Sequence, residues 1–222
     1  MNAAVIGPGS MGLLYGSRLS ACADVCLVGR SREHVDEMNE KGITLKRGDV
    51  QRVYKVRAVL PGEEKEAKDL IILFTKAYIT GEALAANRDL IGNDTLILTL
   101  QNGAGHEDIL REFTDDAHIL IGTTTQGSYR ENIHTIVNSG LGDTVIGRIT
   151  AGEADPAIEK AVEEAADLFE KNKQQYSFYR LEQADDQRFL QRAFRHSRKT
   201  PGLRGRKSPC MGDLLQPDPG DL

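Results

Sequence analysis

The 222-residue chain is short of cysteine, of aromatic residues and of positive charge, and each shortage removes a class of function. Its three cysteines, Cys22, Cys26 and Cys210, are an odd set with no metal-ligand spacing, so redox and metal roles give way to the packing of buried thiols. No stretch approaches the length of a membrane span, and residues 1–12 lack the basic start and cleavage site of a secretory signal; a cytoplasmic location away from membranes is expected. A net charge of -5 speaks against nucleic acid as the main partner. The one basic cluster, Arg188, Arg192, Arg195, Arg198 and Lys199, has neither aromatic platforms nor a binding motif beside it. What remains is a chain with 40% hydrophobic residues, enough for one large domain or one typical domain with part of a second.

The start of the chain carries the strongest local signal. Ala3-Ala4-Val5-Ile6 is an apolar run short enough to be a buried strand, and Gly7-Pro8-Gly9-Ser10-Met11-Gly12 follows with the spacing G-x-G-x-x-G. Met11, Leu14, Tyr15, Leu19 and Cys22 then recur at helical spacing. A strand, a glycine turn and a helix in that order open a dinucleotide-binding βαβ unit. Gly7 turns the chain off the strand, Gly9 lets the backbone approach a pyrophosphate, and Gly12 lets the helix pack closely on the sheet. The phosphates then rest on unpaired N–H groups at the helix start.

Beyond this turn strands and helices alternate. Val25-Cys26-Leu27-Val28 reads as a second strand, followed by a helix through Val35 and Met38 that Gly42 stops. Ile43 to Val59 reads as a small hairpin excursion around Gly48-Asp49, and Glu63-Glu64-Lys65-Glu66 as a solvated helix face. Further strands are expected at Leu70 to Phe74, Thr95 to Leu100 and His118 to Gly122, with a helix from His106 to Phe113. Ile133 to Val137 and Thr144 to Ile149 read as a strand pair around Gly140 and Gly142. Asp155-Pro156 caps a last amphipathic helix that runs to about Lys171. The expected fold is α/β, a Rossmann-like, doubly wound and mostly parallel sheet spanning residues 1–172. Residues 173–222 lack any sustained period and read as a short irregular or disordered tail, with at most one weak helix around Leu181, Phe189, Leu190 and Phe194.

In such a sheet the ligand crevice lies beyond the carboxyl ends of the strands, where Arg30, Lys76, Asn102 and the loop from Thr123 to Ser128 fall. A site for NAD places a carboxylate about 20 residues after the glycines, whereas a 2′-phosphate needs a cation. Here the second strand ends in Gly29-Arg30-Ser31-Arg32, with no acid before Glu33, so NADP(H) is expected. Lys76 could reach an adenosine phosphate or lie on the surface, and position alone does not separate the two. Asn102 can donate and accept at once, but Asn102-Gly103 is also an ordinary turn dipeptide. His34, His106, His118 and His134 show no partner spacing and read as structural or solvated.

Taken together, Ala4 to Gly16, Val28-Gly29-Arg30, Thr75-Lys76-Ala77-Tyr78, Leu100-Gln101-Asn102-Gly103 and Gly122-Thr123-Thr124-Thr125 resemble the ketopantoate reductase (2-dehydropantoate 2-reductase) family over roughly residues 1–171. The resemblance implies NADPH-dependent reduction of 2-dehydropantoate, a small-molecule keto acid, to pantoate on the route to pantothenate and coenzyme A. It implies that Gly7, Pro8, Gly9, Ser10, Met11 and Gly12 hold the pyrophosphate and Arg30 the 2′-phosphate. Lys76 would lie near the adenosine end, Asn102 would contact nicotinamide and substrate, and Ser128 in the loop would line the cofactor.

The resemblance stops near Lys171. Family members continue through a short strand into a helical substrate domain whose first long helix carries a lysine, the general acid, and an asparagine four residues later. Residues 173–222 carry no such pattern, and no catalytic residue is assigned; Lys199 and Lys207 stand in proline- and glycine-rich sequence. The expectation is a truncated or frameshifted form that binds NADP(H) but is catalytically impaired, with apolar surface left open to self-association. The alternatives are a non-catalytic NADP(H)-binding module and a reductase of another keto acid.

Overall fold

The computed structural model describes residues 1–103, 105–150, 155–171 and 180–181, the last two residues of the final helix and residues 180–181 by backbone alone. The chain opens with β1 (Asn2–Ile6), α1 (Ser10–Leu19), β2 (Asp24–Val28) and α2 (Arg32–Lys41). It continues through β3 (Ile43–Arg47), β4 (Val50–Tyr54), β5 (Arg57–Val59), β6 (Leu70–Leu73), α3 (Thr80–Ala85), β7 (Leu96–Thr99) and α4 (His106–Leu110). The described remainder is β8 (Ile119–Thr124), β9 (Gly127–Arg130), β10 (Thr135–Gly140), β11 (Thr144–Arg148), α5 (Pro156–Lys171) and β12 (Arg180–Leu181).

The main sheet has the order β12-β11-β8-β7-β6-β1-β2-β5. From β8 to β5 every neighbouring pair is parallel, and β11 runs antiparallel to β8. Because the parallel strands are covered on both sides, their apolar residues are continuous in sequence and sort by alternation. Val5, Leu27, Leu70, Ile72 and Leu98 point toward α1, α2 and α5, where they meet Leu14, Met38 and Phe169. Ile6, Val28, Ile71, Leu73 and Ile97 point the other way, onto Leu84 of α3 and Leu110 of α4. Helices on both faces make the sheet Rossmann-like and doubly wound. Its order reverses between β1 and β6, where the glycine turn leaves β1.

Local chemistry explains several element ends. Gly42 adopts φ +75°, and its N–H bonds the Met38 carbonyl to close α2. Asp155 accepts from the Ala157 N–H at 2.8 Å, with Pro156 in the first turn of α5. Among the described residues no helix is long and apolar enough to cross a membrane.

Three expectations are corrected. Ile133–Val137 and Thr144–Ile149 do not pair with each other: β10 joins a second sheet of order β4-β3-β10-β9, while β11 returns to the main sheet. That second sheet packs Ile43, Leu45 and Ile136 into the core on the side of α1 and α2. The run Glu63 to Glu66 is a turn rather than a helix face, held by Arg32–Glu63 and Arg57–Glu64 ion pairs. Cys22 is exposed, in the turn after α1, whereas Cys26 is buried in β2. Arg180–Leu181 lie parallel to Ile146–Gly147 of β11, and the weak helix expected around Phe189 falls outside the described residues.

Beneath β6 the buried Lys68 ammonium sits 2.9 Å from Glu66 and 3.6 Å from Glu64, which also takes the Arg57 guanidinium. Burial alone would raise the Glu64 pKa. Hydrogen bonds from Arg57 and from the Glu66 N–H, with Lys68 close by, hold it below the ordinary value instead. A carboxyl whose pKa is lower in the folded state adds stability that is whole above the unfolded value, about 4.3, and is lost as pH falls through the folded value. Glu64→Gln is therefore expected to lower stability near pH 7 by about 1–3 kcal/mol and to flatten the acid limb of the stability curve. Urea unfolding at a series of pH values measures both, and an unchanged acid limb would refute the assignment.

Candidate functional site

The glycines of the turn do three different things. Gly7 has φ +96°, and a Cβ there would lie 2.8 Å from the Thr75 nitrogen, so neither its backbone angle nor its surroundings accept a side chain. A Cβ on Gly12 would lie 2.2 Å from the Gly7 carbonyl oxygen, a backbone atom that cannot swing aside. Around a Cβ on Gly9 there is nothing within 4 Å. Gly9 is also the N-cap of α1 and has no side chain to bond the first-turn N–H groups. Open space and uncapped donors together are what a pyrophosphate requires.

A cavity of about 400 Å³ extends from this turn and is lined by Gly7, Pro8 and Gly9. Arg30 and Lys76 line it from beyond the carboxyl ends of β2 and β6. Two arginines follow β2, and the structure separates them. Arg32 is tied to Glu63 and lies 3.9 Å from Asp36, whereas Arg30 is exposed on the cavity with no carboxylate paired to it among the described residues. Ile79, Ala83 and Pro61 give the cavity an apolar wall suited to a flat ring, and Glu82 is the one lining carboxylate among the described residues.

Other expected residues lie beside the cavity. Ser10, Met11 and Gly12 form the first turn of α1. Ser128 is not in a loop: Thr123 and Thr124 belong to β8 and Ser128 to β9, so only Thr125 and Gln126 connect them. Its hydroxyl donates to the Met11 sulfur at 3.1 Å, which places it against that first turn. Asn102 is exposed after β7, outside the cavity lining, and its carbonyl accepts from His106 Nε2 at 3.2 Å.

Several residues escaped sequence reasoning. The Gln101 amide donates to the Thr75 carbonyl at 2.7 Å and to the Thr80 hydroxyl at 2.9 Å, and its oxygen accepts from Thr99 at 3.0 Å. It thereby fastens the loop carrying Lys76 to the loop carrying Asn102. Tyr15 reaches from α1 to the Thr124 hydroxyl at 2.8 Å and the Thr144 hydroxyl at 2.6 Å, with its ring 4.9 Å from that of Phe74. His34 and Arg130 line the cavity as well. The alternation of Ser128-Tyr129-Arg130 was the available signal for the arginine.

His118 and His134 have structural partners. His118 bonds Asp115 at 2.6 Å, a contact that holds the carboxyl below its ordinary pKa, and His134 bonds Glu37 at 2.9 Å. Burial pushes the Cys26 thiol up to about 11, so it stays protonated and packs as an apolar group.

Comparison with known proteins agrees with this geometry. The ketopantoate reductase PanE/ApbA family pattern matches residues 3–151. A 2-dehydropantoate 2-reductase of Pyrococcus abyssi is 39% identical over 166 residues, covering 74% of this chain and 52% of that protein. One from Streptococcus pyogenes serotype M1 is 32% identical over 165 residues, with the same two coverages. Among solved structures, a 2-dehydropantoate 2-reductase from Enterococcus faecalis superposes with a TM-score of 0.72 at 28% identity, over 81% of this chain and 57% of that one. A D-mandelate dehydrogenase in a ternary structure with NADH and anilino(oxo)acetate gives a TM-score of 0.72 at 31% identity, with the same coverages. The chain thus spans about half the length of the relatives it matches. With the family pattern lying on the glycine turn, the sheet and the cavity residues alike, the chain belongs to the ketopantoate reductase family.

Proposed function

We propose that residues 1–172 form the NADP(H)-binding half of a 2-dehydropantoate reductase, and that this half holds the cofactor. The observation that carries the reading is Arg30, a cation without a carboxylate partner on the cavity where a site for NAD would hold an acid. Gly9 and the uncapped start of α1 take the pyrophosphate, Lys76 stands near the adenosine end, and Asn102 lies on the side toward nicotinamide and substrate. Bound, the nicotinamide supplies a hydride to the carbonyl carbon of the keto acid. The carbonyl oxygen then needs a proton, and the lysine and asparagine that the family resemblance implies for this step have no counterpart in residues 173–222, which contain no asparagine at all.

A second reading, reduction of another keto acid with NADH, is favoured by the D-mandelate dehydrogenase likeness. Cofactor preference separates the two. Arg30→Ala is expected to weaken NADPH by about 10- to 100-fold and to leave NADH unchanged, measured by fluorescence titration. Equal NADPH affinity in wild type and variant would sink the NADP(H) assignment.

The glycines give an independent check. Gly12→Ala forces a backbone clash and should lower the melting temperature without ligand, by about 1–3 kcal/mol of stability. Gly9→Ala meets nothing in the free protein, so it should melt like wild type yet bind NADPH at least tenfold more weakly, about 1.4 kcal/mol. Tight binding by Gly9→Ala would remove the pyrophosphate from this turn.

Turnover is tested by NADPH oxidation with ketopantoate. Residues 1–222 tested by themselves carry no counterpart of that lysine, and their rate is expected to be lower than that of a family member carrying it by a factor of about 10² to 10⁴. Full activity of residues 1–222 would overturn that expectation and leave the cofactor assignment intact.

A further inference from the structure

One wall of the cavity comes from outside the main sheet. Arg130 ends β9 and pairs in register with Ile136 of β10, yet it lines the same cavity as Pro8, Gly9, Arg30 and His34. Alternation along β9 explains how. Tyr129 is 53% exposed, whereas Ser128, on the opposite face, touches Met11 in the first turn of α1, and Arg130 shares the face of Ser128.

The guanidinium is held but not neutralised. Its Nε donates to the Asn132 carbonyl at 3.0 Å, and a terminal nitrogen donates to the Ile133 carbonyl at 2.8 Å. No carboxylate pairs with it among the described residues, and burial pushes its pKa down. Two other shielded cations are treated differently: Lys68 has Glu66 and Glu64, and Arg148 has Glu159 at 2.8 Å. A fixed, half-buried arginine facing a cavity with no counter-ion is arranged for an anion that arrives with a ligand.

The fold indicates which anion. The turn that follows Arg130 ends at His134, which bonds Glu37 one helical turn beyond His34 on α2. The end of β9 therefore lies toward α2, beside the loop that carries Arg30. The pyrophosphate has main-chain donors at the start of α1; a phosphate on the adenosine 2′-oxygen lies beyond them, toward Arg30 and α2. We propose that Arg130 is the second arm of a two-arginine clamp on the 2′-phosphate of NADP(H), closing from the accessory sheet against Arg30. The clamp rests on the NADP(H) reading and adds to it a specificity-determining residue from outside the βαβ unit.

Calorimetric titration of the full chain with adenosine 2′,5′-bisphosphate and with 5′-AMP tests it, using wild type, Arg130→Ala and Arg130→Lys. Wild type is expected to prefer the bisphosphate, and Arg130→Ala to lose about tenfold or more for it while binding 5′-AMP within about twofold of wild type. Arg130→Lys keeps the charge but not the forked geometry and should fall between the two. It also carries the test if the alanine variant melts early for want of the Asn132 and Ile133 contacts. Unchanged bisphosphate affinity in the folded variants, or an equal loss for both nucleotides, overturns the clamp and leaves the NADP(H) reading standing. A wild-type chain that does not distinguish the two nucleotides overturns both.

Discussion

The fold depends on how closely α1 may approach the turn that leaves β1. With no side chain at Gly12, the helix comes within a distance of the Gly7 carbonyl that any Cβ would forbid, and Gly7 at φ +96° turns the chain beneath it against Thr75 and Phe74. That contact sets the height of the helix start above the sheet, and so sets the open space around Gly9. One turn further on, Tyr15 is thereby carried to Thr124 and Thr144 and stacks near Phe74 and Phe169. A single close approach therefore positions the uncapped start of the helix and anchors its far side to β8, β11 and α5.

Sequence reading recovered the parts of this arrangement that follow from local rules. Leu70–Leu73 and Leu96–Thr99 are apolar without interruption because parallel strands are covered on both faces, and that continuity is visible without knowing the partners. Gly42 and Asp155-Pro156 marked helix ends through their own chemistry, and Arg30 was legible because its position after β2 is fixed by the βαβ unit. Residues whose role depends on distant chain were not legible. The pairing of β10 with β3 joins segments about ninety residues apart, and Gly140 and Gly142 looked like the middle of a hairpin when the chain in fact crosses between sheets there. Glu63 to Glu66 has the composition of a helix face, but Arg32 and Arg57, brought in from either side, hold it as a turn.

Gln101 shows why the crevice loops act together. A surface amide beside Asn102 carries no signal of its own, since Gln-Asn-Gly is an ordinary turn. In the folded chain its one side chain bonds the main chain at Thr75 and the hydroxyls of Thr75, Thr80 and Thr99, so the ends of β6 and β7 are a single hydrogen-bonded unit. The loop that carries Lys76 is thus fixed relative to the loop that carries Asn102. Pre-organisation of this kind matters most where a ligand must be gripped at one end and presented to chemistry at the other.

The charge distribution suits a ligand that carries more than one anionic group. The whole chain is acidic, at -5, yet among the described residues the cavity presents Arg30, Lys76 and Arg130 against the single carboxylate of Glu82. Lined by Ile79, Ala83 and Pro61 on its apolar side, such a crevice concentrates the field of its cations instead of dispersing it into water. An uncharged or singly charged nucleotide uses little of that field, whereas a ligand with phosphoryl groups at two places uses all of it. The main sheet alone supplies Arg30 and Lys76, from beyond β2 and β6. The second sheet, which packs against α1 and α2 and adds nothing to the central strand order, brings the third cation to the same cavity. Its place in the fold is explained by what it carries to the cavity as much as by the apolar residues it buries.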